Sequence, residues 1–249
     1  MEQVPPFIGR DWALFLDIDG TLLDYVPRPE MARIPPPLRR TLAALQRALD
    51  GAVSVISGRA IADVDRLLAP LRLPAAGQHG AESRLSESRR IAAPPSAMLG
   101  SILARTYAYA KQHAAIYIED KGASAAIHYR GAEDERDRLQ SLLKDAVAQS
   151  AGAFDLLESH LAFDIRPSDA NKGRAVTWFM AAPPFAGRIP VFIGDDSTDE
   201  DGFAAVLALR GHAIKVGERR PTIAPWNFRN PAALREWLDR SAAGLRAMP

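Results

Sequence analysis

The apolar run Ala13-Leu14-Phe15-Leu16 empties directly into Asp17-Ile18-Asp19-Gly20-Thr21. A hydrophobic strand that ends in two carboxylates two residues apart sets them at the carboxyl end of a sheet, where open α/β folds build their sites. One carboxylate can attack an electrophile while the other carries protons. Ionised carboxylates this close repel one another, so a site that keeps both charged needs a cation. The motif therefore asks for Mg²⁺ and an anionic substrate such as a phosphate ester. Asp-Gly is also a common turn, so the reading depends on other parts of the chain. A helix–loop–helix calcium loop is excluded, because it wants Gly sixth and Glu twelfth. Counted from Asp17 those places hold Leu22 and Arg28, and counted from Asp195 they hold Glu200 and Val206.

Composition narrows the function classes. The 249 residues suffice for one large domain or two smaller ones, and an apolar content of 47% supports a filled core. Lys plus Arg (31) nearly balances Asp plus Glu (30). That leaves no global basic field for nucleic acid and no polybasic run for a membrane surface. The absence of cysteine excludes disulfides and thiolate metal sites. The start carries Glu2 and two prolines rather than a basic, then apolar, leader, and no stretch reaches transmembrane length. A soluble cytoplasmic protein is the expectation.

Alternation continues after the first strand. Leu38, Leu42, Leu45 and Leu49 recur at helical spacing behind Pro35-Pro36-Pro37. Val53 to Ile56 reads as a strand, Ile61, Val64, Leu67 and Leu68 as a helical stripe, and Ala75-Ala76-Gly77 as a short strand before Gln78-His79-Gly80. This βαβαβ order predicts a parallel sheet. The middle predicts a helix over 98–112, a close strand pair at 116–119 and 125–130, a second helix through Leu139, Leu142, Leu143 and Val147, and a second strand pair at 154–157 and 161–165. Two strands joined so closely form an antiparallel hairpin. The expected organisation is an α/β core over 1–83 and 168–249, with an α+β insert over 84–167. The last part returns to alternation, with a helix from Lys172 past Phe179, a strand Pro190 to Ile193, a helix Asp199 to Leu209, a strand Ala213 to Val216, and a final helix opened by Asn230-Pro231.

Three further strand ends repeat the pattern of the first. Ser57-Gly58-Arg59 follows Ile56; its hydroxyl and glycine amide at a helix start suit phosphate oxygens, the alternative being an ordinary N-cap. Lys172, in Asn171-Lys172-Gly173, is either a solvated lysine or a cation that neutralises a phosphate and steadies Asp17. The run Asp195-Asp196-Ser197-Thr198-Asp199-Glu200-Asp201 holds five acidic residues in seven, more than helix capping requires. Asp195 directly follows a strand and aims at the same sheet edge as Asp17. Mg²⁺ takes one or two protein carboxylates together with waters and a phosphate oxygen. Asp17, the backbone carbonyl of Asp19 and Asp195 would supply that set.

Taken together, these motifs resemble the haloacid-dehalogenase superfamily of phosphatases, and the insert resembles that superfamily's type-two cap. Ser57-Gly58-Arg59, Gln78-His79-Gly80-Ala81-Glu82, Ala126-Ile127-His128-Tyr129-Arg130 and Gly194-Asp195-Asp196-Ser197-Thr198-Asp199-Glu200 are similar to motifs of the trehalose-6-phosphate phosphatase family. The resemblance runs from about Leu14 to Trp237. It implies a Rossmann-like core and Mg²⁺-dependent hydrolysis of trehalose 6-phosphate through an aspartyl-phosphate. Asp17 would be the nucleophile and Asp19 the acid and base. Ser57, Gly58 and Lys172 would hold phosphoryl oxygens. Asp17, Asp19 and Asp195 would bind the metal, with Asp199 behind them. Arg59, His79, Glu119, Lys121, Arg130 and Asp164 would face the sugar. Asp164 departs from the glutamate usual in the family, which bears on sugar recognition and not on phosphate chemistry. The resemblance also implies a functional link to a trehalose-6-phosphate synthase.

The alternatives are the same chemistry on another sugar phosphate, such as sucrose 6-phosphate or a glycosyl phosphoglycerate, a phosphotransferase, or a catalytically inactive regulatory module. The presence of Asp17, Asp19, Lys172 and Asp195 counts against the last. His113, His160 and His212 read as surface or loop residues, His128 as open to a purely structural role, Trp178, Phe179 and Met180 as core, and Arg89-Arg90 as a solvated pair.

Overall fold

The computed structural model describes residues 4–218 and 221–247. The chain forms two compact units, Met1–Arg90 with Asn171–Pro249, and Ile91–Ala170. In chain order the first segment carries β1 (Trp12–Leu16), α1 (Pro36–Ala48), β2 (Val53–Ile56), α2 (Ile61–Leu68), β3 (Ala75–Gly77), β4 (Glu82–Ser86) and β5 (Arg89–Ala92). The smaller unit follows with α3 (Ala97–Ala110), β6 (Tyr117–Asp120), β7 (Ala125–His128), α4 (Arg136–Ala148), β8 (Phe154–Ser159) and β9 (Ala162–Pro167). The return segment adds α5 (Lys172–Met180), β10 (Ile189–Gly194), α6 (Glu200–Ala208), β11 (His212–Val216), β12 (Trp226–Phe228) and α7 (Pro231–Ala247).

The larger unit is built on one sheet of order β12-β11-β10-β1-β2-β3-β4-β5. It is parallel from β12 through β3, and β4 turns antiparallel on β3. Every residue of β1 and β2 is buried, as expected of parallel strands covered on both faces. From β1 the chain first builds outward through β2 and β3, then returns to build β10 and β11 on the other side. The strand order therefore reverses at β1, the kind of switch point at which open α/β sheets place their sites, at the carboxyl ends of β1 and β10. Register sets the level of that edge: Leu16 pairs with Ile193 and with Val55. The Asp17 N–H donates to the Ile193 carbonyl at 3.0 Å, so the first carboxylate emerges beside Gly194-Asp195. Below it Phe15 meets Phe185 and Phe179 at ring separations of 5.4 and 5.9 Å. This aromatic packing fixes the strand that carries the motif.

The smaller unit holds a four-stranded antiparallel sheet, β6-β7-β9-β8, with its own core. Leu99, Ile102 and Leu103 of α3 and Leu139 and Leu143 of α4 close over Ile127, Phe163 and Ile165. Strand periodicity then sends the intervening residues to the opposite face. Glu119 pairs with Ala126, and Ala126 with Asp164, so the two acidic residues lie in one row across the sheet.

The structure departs from the sequence reading at several places. The β4–β5 hairpin and β12 were not expected, because Glu82 to Ser86 and Arg89 to Ala92 carry mostly polar edge residues and β12 is three residues long. Arg89 is not simply solvated: its guanidinium lies 5.4 Å from the centre of the Trp178 ring, while Arg90 pairs with Glu87. His212 is a half-buried residue of β11, its ring tilted against that of Trp12 at a centroid separation of 4.8 Å, not a loop histidine. No described helix is long and apolar enough to cross a membrane.

Candidate active site

Lys172 is the centre of the site. It is the first residue of α5, whose N-cap Asn171 accepts from the Arg174 N–H. Its side chain is almost fully buried, and its ammonium reaches Asp17 Oδ1 at 3.0 Å and Asp199 Oδ1 at 2.6 Å. The solvated-lysine alternative is thereby removed. Burial by itself would strip the proton from this lysine. Asp17 and Asp199 outweigh that cost and hold its pKa above the usual lysine range. Burial also pushes the Asp17 carboxyl well above the ordinary carboxylate range. Lys172 opposes that shift, while Asp199, Asp195 and Asp19 add to it.

Asp199 is fully engaged. Its Oδ1 takes Lys172, and its Oδ2 accepts the backbone N–H groups of Asp195 and Asp196, both at 2.9 Å. It braces the loop after β10 against α5. The other acidic residues of that run divide the remaining work. Asp196 caps the short 3-10 turn at Ser197, and Glu200 accepts the Ile223 N–H at 3.1 Å. Asp195 turns its carboxylate to the first motif and its neighbours. Thr21 Oγ1 donates to its Oδ1 at 2.9 Å and the Tyr25 hydroxyl to its Oδ2 at 2.8 Å, while the Lys215 ammonium sits on its backbone carbonyl. Burial first, then Asp199, pushes the Asp195 carboxyl up to about 7. Gly20, at φ +83°, makes this approach feasible, since a Cβ there would lie 2.1 Å from Asp195 Oδ2. Tyr25 and Lys215 escaped the sequence reading. Neither stands in a motif, and only the register of Gly194 with Lys215 reveals the lysine.

Asp19 is held differently. Arg59 forks onto it, Nε to Oδ2 at 2.6 Å and Nη2 to Oδ1 at 2.7 Å, and its Nη1 reaches the Pro29 carbonyl at 3.1 Å. Such a bidentate pair fixes orientation as well as charge. Ser57 is buried and accepts the Arg59 N–H at 3.2 Å; α2 begins only at Ile61 with Ala60 as N-cap, so the N-cap alternative for Ser57 falls away. His79 packs onto the same loop: a Cβ on Gly58 would lie 2.7 Å from its Nε2. Gln78 and His79 both take left-handed backbone, φ 50° and 57°, a conformation that costs side-chain-bearing residues energy and clusters at functional sites. Bonds across the loops hold it there. Gln78 N–H donates to the Arg59 carbonyl at 2.9 Å, His79 N–H to the Ser57 carbonyl at 3.0 Å, and Glu82 Oε1 accepts the Ile61 N–H at 2.7 Å. The Gln-His-Gly-Ala-Glu stretch is thus a brace for the Ser57 loop.

Asp17, Asp195 and Asp199 offer carboxylate oxygens within 4.8 Å of one another. An all-oxygen set at one end of a sheet suits a hard divalent cation. With Asp199 occupied by Lys172 and the loop amides, Asp17 and Asp195 are the carboxylates with capacity to spare.

In the smaller unit, Glu119 Oε2 lies 3.7 Å from the Lys121 ammonium and 3.3 Å from His128 Nε2. With Asp164 in the same row, these side chains form one polar patch, which gives His128 polar company that the sequence did not reveal. Arg130 stands just past β7 and acts electrostatically on Glu133.

The trehalose-phosphatase family model matches residues 15–231. A probable trehalose-phosphate phosphatase of Sinorhizobium fredii is 41% identical over 211 residues, covering 85% of this chain and 80% of that protein. The trehalose-6-phosphate phosphatase of Escherichia coli is 35% identical over 242 residues, covering 97% and 90%. The C-terminal domain of the Candida albicans trehalose-6-phosphate phosphatase, 21% identical, superposes with a TM-score of 0.84 over 94% of this chain and 92% of that one, a likeness of fold.

Lys172→Met removes the cation between two buried carboxylates. Breaking one side of a buried ion pair costs about 3–5 kcal/mol, and denaturant unfolding is expected to show a loss of that order near neutral pH. The sign of its pH dependence follows from Asp17. A carboxyl whose folded pKa is raised destabilises the fold above its unfolded pKa, and protonation relieves it. The deficit should therefore shrink as pH falls toward the ordinary carboxylate range; a deficit that grows on acidification contradicts this account.

Proposed function

The chain belongs to the trehalose-phosphatase family, and from that premise we propose that it hydrolyses trehalose 6-phosphate to trehalose and phosphate through an aspartyl-phosphate on Asp17. The observation that carries the reading is the buried Lys172 bond to Asp17 Oδ1. It engages one oxygen of the carboxylate and leaves Oδ2 to act as nucleophile. Asp17 attacks phosphorus, the bond from phosphorus to the sugar oxygen breaks, and Asp19 delivers the proton that oxygen needs. Asp19 then takes a proton from water as the water attacks the acyl-phosphate, releasing phosphate and restoring Asp17. Both Asp19 oxygens accept from Arg59. Proton transfer therefore requires Asp19 to part from at least one of those N–H groups, and Arg59 acts as much on Asp19 as on the sugar. Ser57, the Gly58 amide and Lys172 receive the phosphoryl oxygens, with His79 closing the loop beside them.

The cation is Mg²⁺ in this reading, held by Asp17, Asp195 and the Asp19 carbonyl, with Asp199 bracing from behind. When bound it neutralises phosphate charge and polarises the phosphoryl group. In the smaller unit, Glu119, Lys121, Asp164 and Arg130 recognise the disaccharide, and Asp164, a methylene shorter than glutamate, can use a bridging water.

Three outcomes test these assignments. Asp17→Asn should fold, since it replaces an already costly buried charge, yet release no phosphate above background; near-normal turnover would remove the nucleophile. Glu119→Ala should lower kcat/KM for trehalose 6-phosphate about tenfold or more, the worth of a bond to a charged group, while sparing a small aryl phosphate. Remote contacts can be used in the chemical step, so kcat as well as KM is expected to fall for the sugar phosphate. Equal losses on both substrates would deprive the smaller unit of its role in specificity. Finally, Mg²⁺ must displace the proton from Asp195, whose carboxyl titrates at about 7. Calorimetric Mg²⁺ affinity should weaken by about tenfold per pH unit below that point and level off above it. An affinity that is flat with pH, or stronger in acid, speaks against Asp195 as ligand.

A further inference from the structure

Asp195 is gripped from three elements. Thr21 belongs to the first motif, Tyr25 to the loop beyond it, and Lys215 to β11 beside β10. Lys215 is almost wholly buried and fixes the backbone of Asp195 from below. Thr21 and Tyr25 fix the carboxylate, one donor on each oxygen. That division matters because the terminal torsion of an aspartate is soft. A single donor leaves the carboxylate free to swing, whereas two donors on different oxygens set its plane. An ionised carboxylate has about four acceptor positions, so each oxygen keeps capacity for a cation after these bonds are made.

Tyr25 is not here as a buried core residue: it is 39% exposed. Its ring lies over the motif turn, since a Cβ on Gly20 would meet its Cε2 at 2.6 Å. A phenylalanine would cover Gly20 as well. What the tyrosine adds is one hydroxyl, placed on Asp195.

We propose that Tyr25 is a positioning residue for the divalent-cation site, its hydroxyl and that of Thr21 together holding the Asp195 carboxylate in the orientation that binds metal. This rests on the reading of Asp195 as a metal ligand. Partners behind ligating groups contribute about tenfold or more to metal affinity. Tyr25→Phe keeps the ring and removes the donor.

The test compares wild type, Tyr25→Phe and Asp195→Asn as full chains. Mg²⁺ binding is measured by calorimetry without substrate, turnover across a Mg²⁺ titration, and melting without metal. The expected result for Tyr25→Phe is a Kd for Mg²⁺ raised about tenfold, a matching rise in half-saturating Mg²⁺, and recovery of most turnover in excess Mg²⁺, with the metal-free melting temperature held. An unchanged Kd overturns the proposal, as does a fall in kcat that excess Mg²⁺ does not repair. Asp195→Asn separates the two levels. If it binds Mg²⁺ like wild type, the ligand assignment itself fails. If it loses binding while Tyr25→Phe does not weaken it, only the role of Tyr25 fails.

Discussion

The bond set on the Lys172 ammonium holds the site together. Asp17 arrives on β1, Asp199 after β10, and Lys172 at the start of α5, which are far apart in sequence. Each is nearly devoid of solvent, so none could be charged there alone. One cation between two carboxylates makes all three tenable, and Asp199 passes the constraint on through the amides of Asp195 and Asp196. The position of Asp195 thus depends on a lysine it does not touch. A buried triad of this kind is a doubtful source of net stability. In the proposed reaction its value lies in pre-organisation, since a carboxylate held at one oxygen needs little rearrangement before the other attacks.

Three of the four acidic residues gathered at this sheet edge are committed to a cation of the chain. Lys172 serves Asp17 and Asp199, Arg59 serves Asp19, and Asp195 receives only neutral donors on its carboxylate. The partition separates roles among like groups. Burial raises both Asp17 and Asp195; Lys172 opposes the shift at Asp17, whereas Asp195, pushed up to about 7, has no such cation on its carboxylate and stands to gain from an added one. A metal-free site is therefore electrostatically incomplete at Asp195, which sets the direction of any pH effect on metal binding.

Much of this was legible in sequence because strand ends are legible. An apolar run that stops at a carboxylate names both the strand and the edge, and Asp17, Ser57 and Asp195 each follow such a run. Helices with leucine stripes, such as α1, were equally plain. What escaped were elements without that contrast. Strand β4 is mostly polar, and β12 is too short to show a period. Lys215 looked like one more residue of a strand. Its ammonium becomes part of the site only because β11 pairs with β10 in the register that sets it beside Gly194. A long-range register cannot be read from local pattern, so groups that act through it stay hidden.

The left-handed backbone at Gln78 and His79 shows the same limit from the other side. Nothing local favours it, because neither residue is glycine. It persists because the amides of both residues are tied to the Ser57–Arg59 loop and because Glu82, four residues on from Gln78, occupies the Ile61 amide at the entry to α2. Moving His79 into ordinary backbone would release those bonds together and withdraw its ring from Gly58. The strain at one loop is therefore the means by which two strand ends, β2 and β3, present a single rigid surface. Gly58 is required there because no side chain could share the space with that imidazole.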